Sequence, residues 1–447
     1  MHPVLSPQTK AELDASHPEP VSVLMERAGT AVAREAVRMG VEYGSRVTVV
    51  AGPGNNGGDG YVAARVLRRR GVAARVLAIA EPKTDAAADA ADRCRRAGVP
   101  VDTMSEERLA DACDLLIDAG FGGRPRAGLD PAPTAWNAVG PVLAVDVPTG
   151  LDPTSGEADQ ASVRADRTVT FHALSPGHVL GDGPDVSGTV VVADIGLHGG
   201  EPSMFVMEDS DVVTPSRERR THKWAAGSVL IVGGDEGMIG AAVMAGRSAL
   251  HFGAGAVGVA TSRPDICQTV APELLAHHID ETGELGDRYD VLCIGPGLSE
   301  PRDDLLGHAG PVVLDAGSLH DHLDLSGRSH DTVLTPHAGE LRRLDGAERT
   351  GAADLVTLVV KGNPTRVLGG GREILVTSGG PELATIGTGD VLSGMISALC
   401  ARGVDGTMAA ASAAQVHGRA AACIARDRTV TADLLVLEIG RRAGVVA

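Results

Sequence analysis

Short β-branched runs alternate with stretches of helical periodicity along most of the chain. Near the start, Met25, Ala28, Val32 and Ala36 recur at helical spacing with Glu26 and Arg27 between them, which predicts a helix. Strand-like runs then fall at 47–51, 74–80, 115–119, 142–147, 168–171 and 189–194, with helical stretches between. Such alternation predicts a mainly parallel sheet covered on both faces, with ligand groups at the carboxyl ends of the strands. The pattern is softest at Gly199-Gly200-Glu201-Pro202-Ser203, so a boundary is expected there, dividing residues 1–203 from 204–447. The second part offers strands at 228–232, 256–261, 291–294, 312–314, 332–335, 358–360 and 374–376. It is again α/β, and it shows no obvious sequence repeat of the first.

Composition narrows the possibilities. At 447 residues the chain is too long for one ordinary domain. Aromatic residues make up only 2%, so the cores must be built from Ala, Val, Leu and Ile. A formal charge of −18 argues against a nucleic-acid or anionic-membrane surface, and an anionic substrate would need local amides or Lys/Arg groups. The six cysteines are scattered with no CxxC, which predicts neither zinc nor a disulfide frame. The N-terminus has no basic-then-apolar signal and no long uncharged apolar run follows, so a cytoplasmic protein is expected.

Candidate chemistry sits at the strand ends. Gly52-Pro53-Gly54-Asn55-Asn56-Gly57-Gly58-Asp59-Gly60 links a strand to a helix, and Gly52, Gly54 and Gly57 satisfy G-x-G-x-x-G in the right context. With Glu81 as a ribose carboxylate, a dinucleotide dehydrogenase is a first reading. The match at Gly253, Gly255 and Gly258 follows a helix and is set aside. Asn55, Asn56 and Asp59 lie outside that fingerprint and offer oxygens suited to a cation or a hydroxyl-rich ligand. Asp118, before Gly120-Phe121-Gly122-Gly123, and Asp146, before Val147-Pro148-Thr149-Gly150, are turn or cap residues when taken singly. Together with the asparagines they suggest a site.

In the second part, Gly387-Thr388-Gly389-Asp390 precedes an apolar helical pattern that begins at Val391. Amides at a helix start favour an anion, and a carboxylate there makes sense as a base for a hydroxyl attacking a phosphate. The plain alternative is a helix cap. His337 reads as a turn histidine, and Lys361, directly after an apolar run, as a lysine whose stem starts in the core. No P-loop motif is present.

Together, the 52–60 loop, Ile117-Asp118-Ala119-Gly120-Phe121-Gly122 and Asp146-Val147-Pro148-Thr149-Gly150 resemble the NAD(P)H-hydrate epimerase family over roughly the first 200 residues. The resemblance implies a Rossmann-like three-layer α/β domain. In it, Asn55, Asn56, Gly57, Gly58, Asp59 and Gly122, Gly123, Arg124, Pro125, Arg126, Ala127, Gly128 would hold the hydrated nucleotide. Asn56, Asp118 and Thr149 would bind K+, and Asp146 would contact the substrate as the base.

The series Gly295-Pro296-Gly297-Leu298, Asp315-Ala316-Gly317-Ser318, Thr335-Pro336-His337-Ala338-Gly339-Glu340, Lys361-Gly362-Asn363-Pro364-Thr365 and Gly387-Thr388-Gly389-Asp390 resembles the ribokinase-like superfamily. His222-Lys223 and Ala384-Thr385 favour its ADP-dependent NAD(P)H-hydrate dehydratase family. By that resemblance Ala256, Gly297, His337 and Asp390 would face the hydrated nucleotide. Lys361, Gly362, Asn363, Pro364, Thr365 and Gly387, Thr388, Gly389 would hold ADP with Mg2+. Asn363 and Pro364 stand where the family has small residues, and Asp235, Glu236 and Met238 make the first glycine turn more acidic. The two resemblances imply a repair enzyme for hydrated NADH and NADPH, acting as a homo-oligomer on small molecules. The competing readings are a vitamin-precursor kinase fused to a nucleotide-binding scaffold domain, and a first domain that only binds ligand.

Overall fold

Apolar residues at consecutive strand positions put side chains on both faces of a sheet, so each face must be covered. The computed structural model describes residues 1–123, 132–202, 204–216, 219, 222–344 and 355–446. The chain divides into two units, Pro3–Pro202 and Met1–His2 with Ser203–Ala447. After β1 (His2–Val4), the first unit runs α1 (Pro7–Ser16), α2 (Val21–Arg38), β2 (Arg46–Ala51), α3 (Asn55–Arg69), β3 (Ala73–Ala78), α4 (Asp85–Arg96) and β4 (Val101–Thr103). It continues with α5 (Glu106–Leu109), β5 (Leu115–Ala119), β6 (Val142–Val145), β7 (Arg167–Phe171), α6 (Gly183–Ser187) and β8 (Thr189–Ala193).

Its sheet has the order β4-β3-β2-β5-β6-β7-β8 and every pairing is parallel. The order reverses between β2 and β5, where diverging loops leave a crevice at the carboxyl ends. Val47, Val49, Ile117 and Val145 pack beneath α2, α3 and α4. On the other face Val50, Leu116 and Ala144 meet Trp136, Val139 and Val163, which belong to a 3-10 turn and loops. Long helices therefore cover one face only. Pro133, Pro148, Gly150, Pro153 and Gly156 stand in the connections after β5 and β6, where a helix cannot propagate. Two strands end two residues short of expectation. β3 stops at Ala78, which leaves Glu81 exposed beyond the strand, 3.8 Å from Arg95. β6 stops at Val145 because Asp146 adopts a left-handed φ of 60°.

The second unit contains β9 (Met204–Val206), β10 (Ser228–Val232), α7 (Ile239–His251), β11 (Ala256–Thr261), α8 (Pro264–Val270), β12 (Leu275–His278), α9 (Thr282–Leu285) and β13 (Val291–Ile294). Then come β14 (Val312–Leu314), β15 (Thr332–Leu334), α10 (Ala338–Leu341), β16 (Val356–Val360), β17 (Thr365–Gly369), β18 (Arg372–Val376), α11 (Thr388–Ala401), α12 (Gly406–Ile424) and α13 (Ala432–Val446). The strands β16-β15-β14-β13-β10-β11-β12 are parallel neighbours, again reversing around the first strand of the set, here β10. β17 runs antiparallel between β16 and β18. Val229, Ile231 and Cys293 lie under the long helices, and Leu230, Leu292 and Ile294 meet short turns carrying Leu298, Leu319 and Leu325. β9, β12 and β17 are too short or too polar for the hydrophobic pattern to announce them. Among the described residues no helix is long and apolar enough to cross a membrane.

α11 starts at Thr388, three residues before its apolar pattern, so Asp390 lies inside the first turn. It rests on α7 at Gly394, where a Cβ would stand 2.1 Å from the Ala245 carbonyl oxygen and 2.2 Å from Ser248 Oγ. Gly394→Ala must push the two helices apart, at a cost of about 1–3 kcal/mol. A lowered urea midpoint is expected, and a wild-type midpoint would show that the close approach is dispensable.

Candidate functional site

The carboxyl ends of β2, β5 and β6 converge on a cavity of about 510 Å³ in the first unit. Asn55, Asp59, Gly122 and Asp146 line it, as expected from the sequence, and so do Lys10 and Asp14 from α1 and His172 and Ser175 after β7. Asp146 Oδ1 accepts hydrogen bonds from Lys10 Nζ at 2.9 Å and Thr170 Oγ1 at 2.8 Å. Lys10 Nζ also reaches Thr170 Oγ1 and Ser175 Oγ. Although burial opposes it, the Lys10 charge holds the Asp146 carboxyl below the usual carboxylate range. His178 Nε2 donates to the Asp146 carbonyl oxygen at 2.8 Å while its Nδ1 accepts from the Ser175 amide, which fixes the neutral tautomer. Asp59 is only 9% exposed and makes no hydrogen bond through its side chain among the described residues. Burial, and then the charges of Asp146 and Asp14, push its carboxyl well above the ordinary value.

Gly57 and Gly58 face inward rather than into the cavity: a Cβ would meet the Gly52 carbonyl oxygen at 1.9 Å in one case and Met25 at 2.5 Å in the other. The Asn55, Asn56 and Gly57 amides at the start of α3 have no hydrogen-bond partner among the described residues. Arg124, Pro125, Arg126, Ala127 and Gly128 lie outside the described residues. Lys10 and Asp14 escaped the sequence reading because α1 buries no residue and has no apolar periodicity. Their i, i+4 spacing on one helix face is the signal that was available.

Asp118, wholly buried, accepts from Thr149 Oγ1 at 2.7 Å, the Thr149 amide at 2.8 Å and the Gly120 amide at 3.1 Å. No cationic side chain pairs with it among the described residues, and burial raises its carboxyl to about 6 against those hydrogen bonds. Asn56 Nδ2 is buried without a partner. Rotating that amide would exchange the orphaned nitrogen for an oxygen. A carboxylate, a hydroxyl and a turned amide would offer oxygen donors only, a chemistry that fits a hard cation better than a transition metal. Among the described residues there is no cluster of three or more His, Cys, Asp or Glu that would hold a metal.

In the second unit the turns after β10 and β13 are tied together. The Gly234 amide donates to the Pro296 carbonyl, the Asp235 amide to the Gly297 carbonyl and the Ser299 amide to Asp235 Oδ2. Asp235 therefore braces the loops from within. Asp315, 2% exposed after β14, accepts from Lys361 Nζ at 2.9 Å. Burial would lower the Lys361 ammonium, but Asp315 outweighs it and the net shift is upward. A Cβ on Gly389 would lie 3.4 Å from that ammonium nitrogen, so Lys361 abuts the start of α11. Gly387, with φ 90°, is the N-cap and offers no side chain, while Thr388 Oγ1 turns back to the Leu383 and Thr385 carbonyls. The Gly389 and Asp390 amides are left without partners among the described residues. The Asp390 carboxylate likewise accepts no hydrogen bond there, and burial, with the Asp315 charge and against Lys361, raises it to about 7. It does not act as a helix cap.

His337 does serve as a cap. Its Nδ1 accepts from the Gly339 and Glu340 amides, and its Nε2 lies 3.5 Å from Glu340 Oε1 on a ring that remains more than half exposed. Lys361, Gly362, Asn363, Pro364 and Thr365 form the reverse turn from β16 into β17, with a cis bond before Pro364. Ala256 is not part of this assembly. It opens β11 opposite Ser228, at the amino edge of the sheet, because parallel strands bring only their carboxyl ends together. The alanine beside Gly297 is Ala241, in the first turn of α7, 3.2 Å from where a Gly297 Cβ would stand.

Residues 21–177 match the family described as YjeF-related protein N-terminus, and residues 229–441 match NAD(P)H-hydrate dehydratase. The bifunctional NAD(P)H-hydrate repair enzyme of Archaeoglobus fulgidus is 36% identical over 408 residues, spanning 85% of this chain and 84% of that one. Its namesake from Mycobacterium tuberculosis is 37% identical over 442 residues, 90% of this chain and 89% of its own. A crystal structure of the ADP/ATP-dependent NAD(P)H-hydrate dehydratase from Bacillus subtilis, co-crystallized with ATP and Mg2+, is 28% identical with a TM-score of 0.48 and covers 54% of this chain and 96% of its own. The chain belongs to the family of bifunctional NAD(P)H-hydrate repair enzymes.

Proposed function

We propose that the first unit interconverts the R and S hydrates of NADH and NADPH, and that the second dehydrates the S form at the expense of ADP, giving AMP and phosphate. The observation that carries this reading is the Asp390 carboxyl, raised to about 7 and unpaired among the described residues, beside two amides that also lack partners there and the Lys361–Asp315 pair. An anion cradle alone would not include a carboxylate, whereas a phosphoryl-transfer site needs a base there.

In the first unit the ring nitrogen of the hydrate expels its C6 hydroxyl, and water returns on either face. Asp146 accepts the proton of the returning water. Lys10 and Thr170 hold its Oδ1, and Oδ2 remains beside Gly122. Asn56, Asp118 and Thr149 would hold a potassium ion, which when bound supplies positive charge near the substrate phosphates. In the second unit Asp390 takes the C6 hydroxyl proton and the oxygen attacks the terminal phosphate of ADP. The amides of Gly389 and Asp390 and the Lys361 ammonium meet the phosphoryl oxygens. Loss of phosphate and of the neighbouring ring proton restores the reduced nicotinamide. ADP would arrive as its magnesium complex, with the metal held mainly by phosphates and water. Gly297, Ala241 and the exposed part of the His337 ring would meet the hydrate. Pro364 offers no amide, so contacts from the β16–β17 turn come from its other residues.

The direct test incubates chemically hydrated NADH with the protein and ADP and follows recovery of the reduced-nicotinamide absorbance together with released phosphate. A stable phosphorylated product without recovered NADH would instead support a small-molecule kinase. Asp390→Asn is expected to slow ADP-dependent recovery by about 10²–10⁴-fold and to leave R–S exchange intact. Asp146→Asn should do the reverse, with the R form persisting on chromatography. Because the Asp390 carboxyl is raised to about 7, its base form is lost as pH falls through that value, and kcat/KM for dehydration should climb through it. Asp315→Asn removes the like charge and should move that limb to lower pH; an unmoved limb would assign it to another group.

A further inference from the structure

Three carboxyl groups, Asp14, Asp59 and Asp146, line the cavity of the first unit, and the last two are treated oppositely. Asp146 is tied at Oδ1 by Lys10 and Thr170, whereas Asp59 is nine-tenths buried with no hydrogen-bond partner among the described residues. The ammonium of Lys10 is committed to Asp146, Thr170 and Ser175, so it does not neutralise Asp59. The other titratable groups facing the cavity are Asp14 from α1 and His172 after β7, while His178 lies behind the Asp146 carbonyl. Leu24, Met25 and Ala28 of α2, with Phe171, Ile195 and Leu197, complete an apolar wall. Two carboxyl groups pushed apart by their surroundings are the arrangement of an acid and a base working on one substrate.

We propose that Asp59 is the acid of the epimerisation and delivers its proton to the departing C6 hydroxyl, while Asp146 receives the proton of the incoming water. The inference rests on the reading of the first unit as an epimerase. As Asp59 gives up its proton, the C6–O bond breaks, the nitrogen lone pair forms a C6=N double bond, and water departs. A second water adds to C6, the double-bond electrons return to nitrogen, and the water's proton passes to Asp146. Transfer of that proton through solvent back to Asp59 resets the site, with no atom or electron gained or lost. The surroundings of Asp59 favour its neutral form, as an acid requires: burial and the Asp146 and Asp14 charges all oppose ionisation.

The test compares the full-length protein and Asp59→Asn in potassium buffer on purified R hydrate of NADH, with exchange read by chromatography and binding by equilibrium dialysis. Because the Asp59 side chain has no hydrogen-bond partner to lose among the described residues, Asp59→Asn should keep the wild-type urea midpoint. Its turnover should fall about 10²–10⁴-fold while binding is kept. The wild-type rate should decline on the alkaline side as Asp59 ionises, and that decline should be absent from whatever exchange the variant retains. Wild-type turnover in the variant overturns the proposal, and so does weakened binding with the alkaline decline intact. If the wild-type protein itself exchanges R and S no faster than buffer, the epimerase reading falls and takes this inference with it.

Discussion

Backbone contact at the carboxyl ends of adjacent parallel strands is the constraint on which both sites depend. A Cβ on Gly52 would stand 1.7 Å from the Gly120 carbonyl oxygen, and one on Gly295 would stand 1.7 Å from that of Asp315. Only glycine lets those chains pass, and the passage draws the flanking polar residues into a shared crevice. Each pair lies at or next to the point where the strand order reverses, so the crevice opens where the loops diverge.

The two units solve an electrostatic problem in similar ways. Each binds one carboxylate to a lysine, Asp146 to Lys10 and Asp315 to Lys361, and leaves a second carboxylate bare, Asp59 or Asp390. The paired group becomes a fixed charge. The bare one is pushed toward neutrality by burial and by its paired neighbour, and for Asp390 this reaches about 7, where proton transfer near neutral pH is effective. In a chain with a formal charge of −18, each site keeps a local lysine and helix-start amides that have no partner among the described residues, groups that favour an anion.

The sheets have the same unequal cover. Helices long enough to carry a 3.6-residue apolar stripe lie on one face, and 3-10 turns and loops fill the other. The lack of long helices on one face of the first unit reflects the prolines and glycines after β5 and β6, in the same connections that carry Asp146 to the crevice. Cover by helix and presentation of polar groups compete for the same connections.

The sequence by itself determined the strand runs, the break near residue 200 and the glycine-flanked polar turns, because periodicity and turn chemistry are local. Asp118, Asp146, Lys361 and Asp390 were legible for that reason. Local pattern does not say which distant helix supplies a counter-charge. Lys10, on a polar helix 136 residues from Asp146, was therefore invisible, as was the pairing of Lys361 with Asp315. Strand direction relative to the sheet edge is likewise a property of the assembled sheet, which is why Ala256 was misplaced and the nearness of Ala241 to Gly297 was not legible. Whether a carboxylate ends as fixed charge or free acid depends on burial and on neighbours brought together only by folding, and tertiary structure alone decided it.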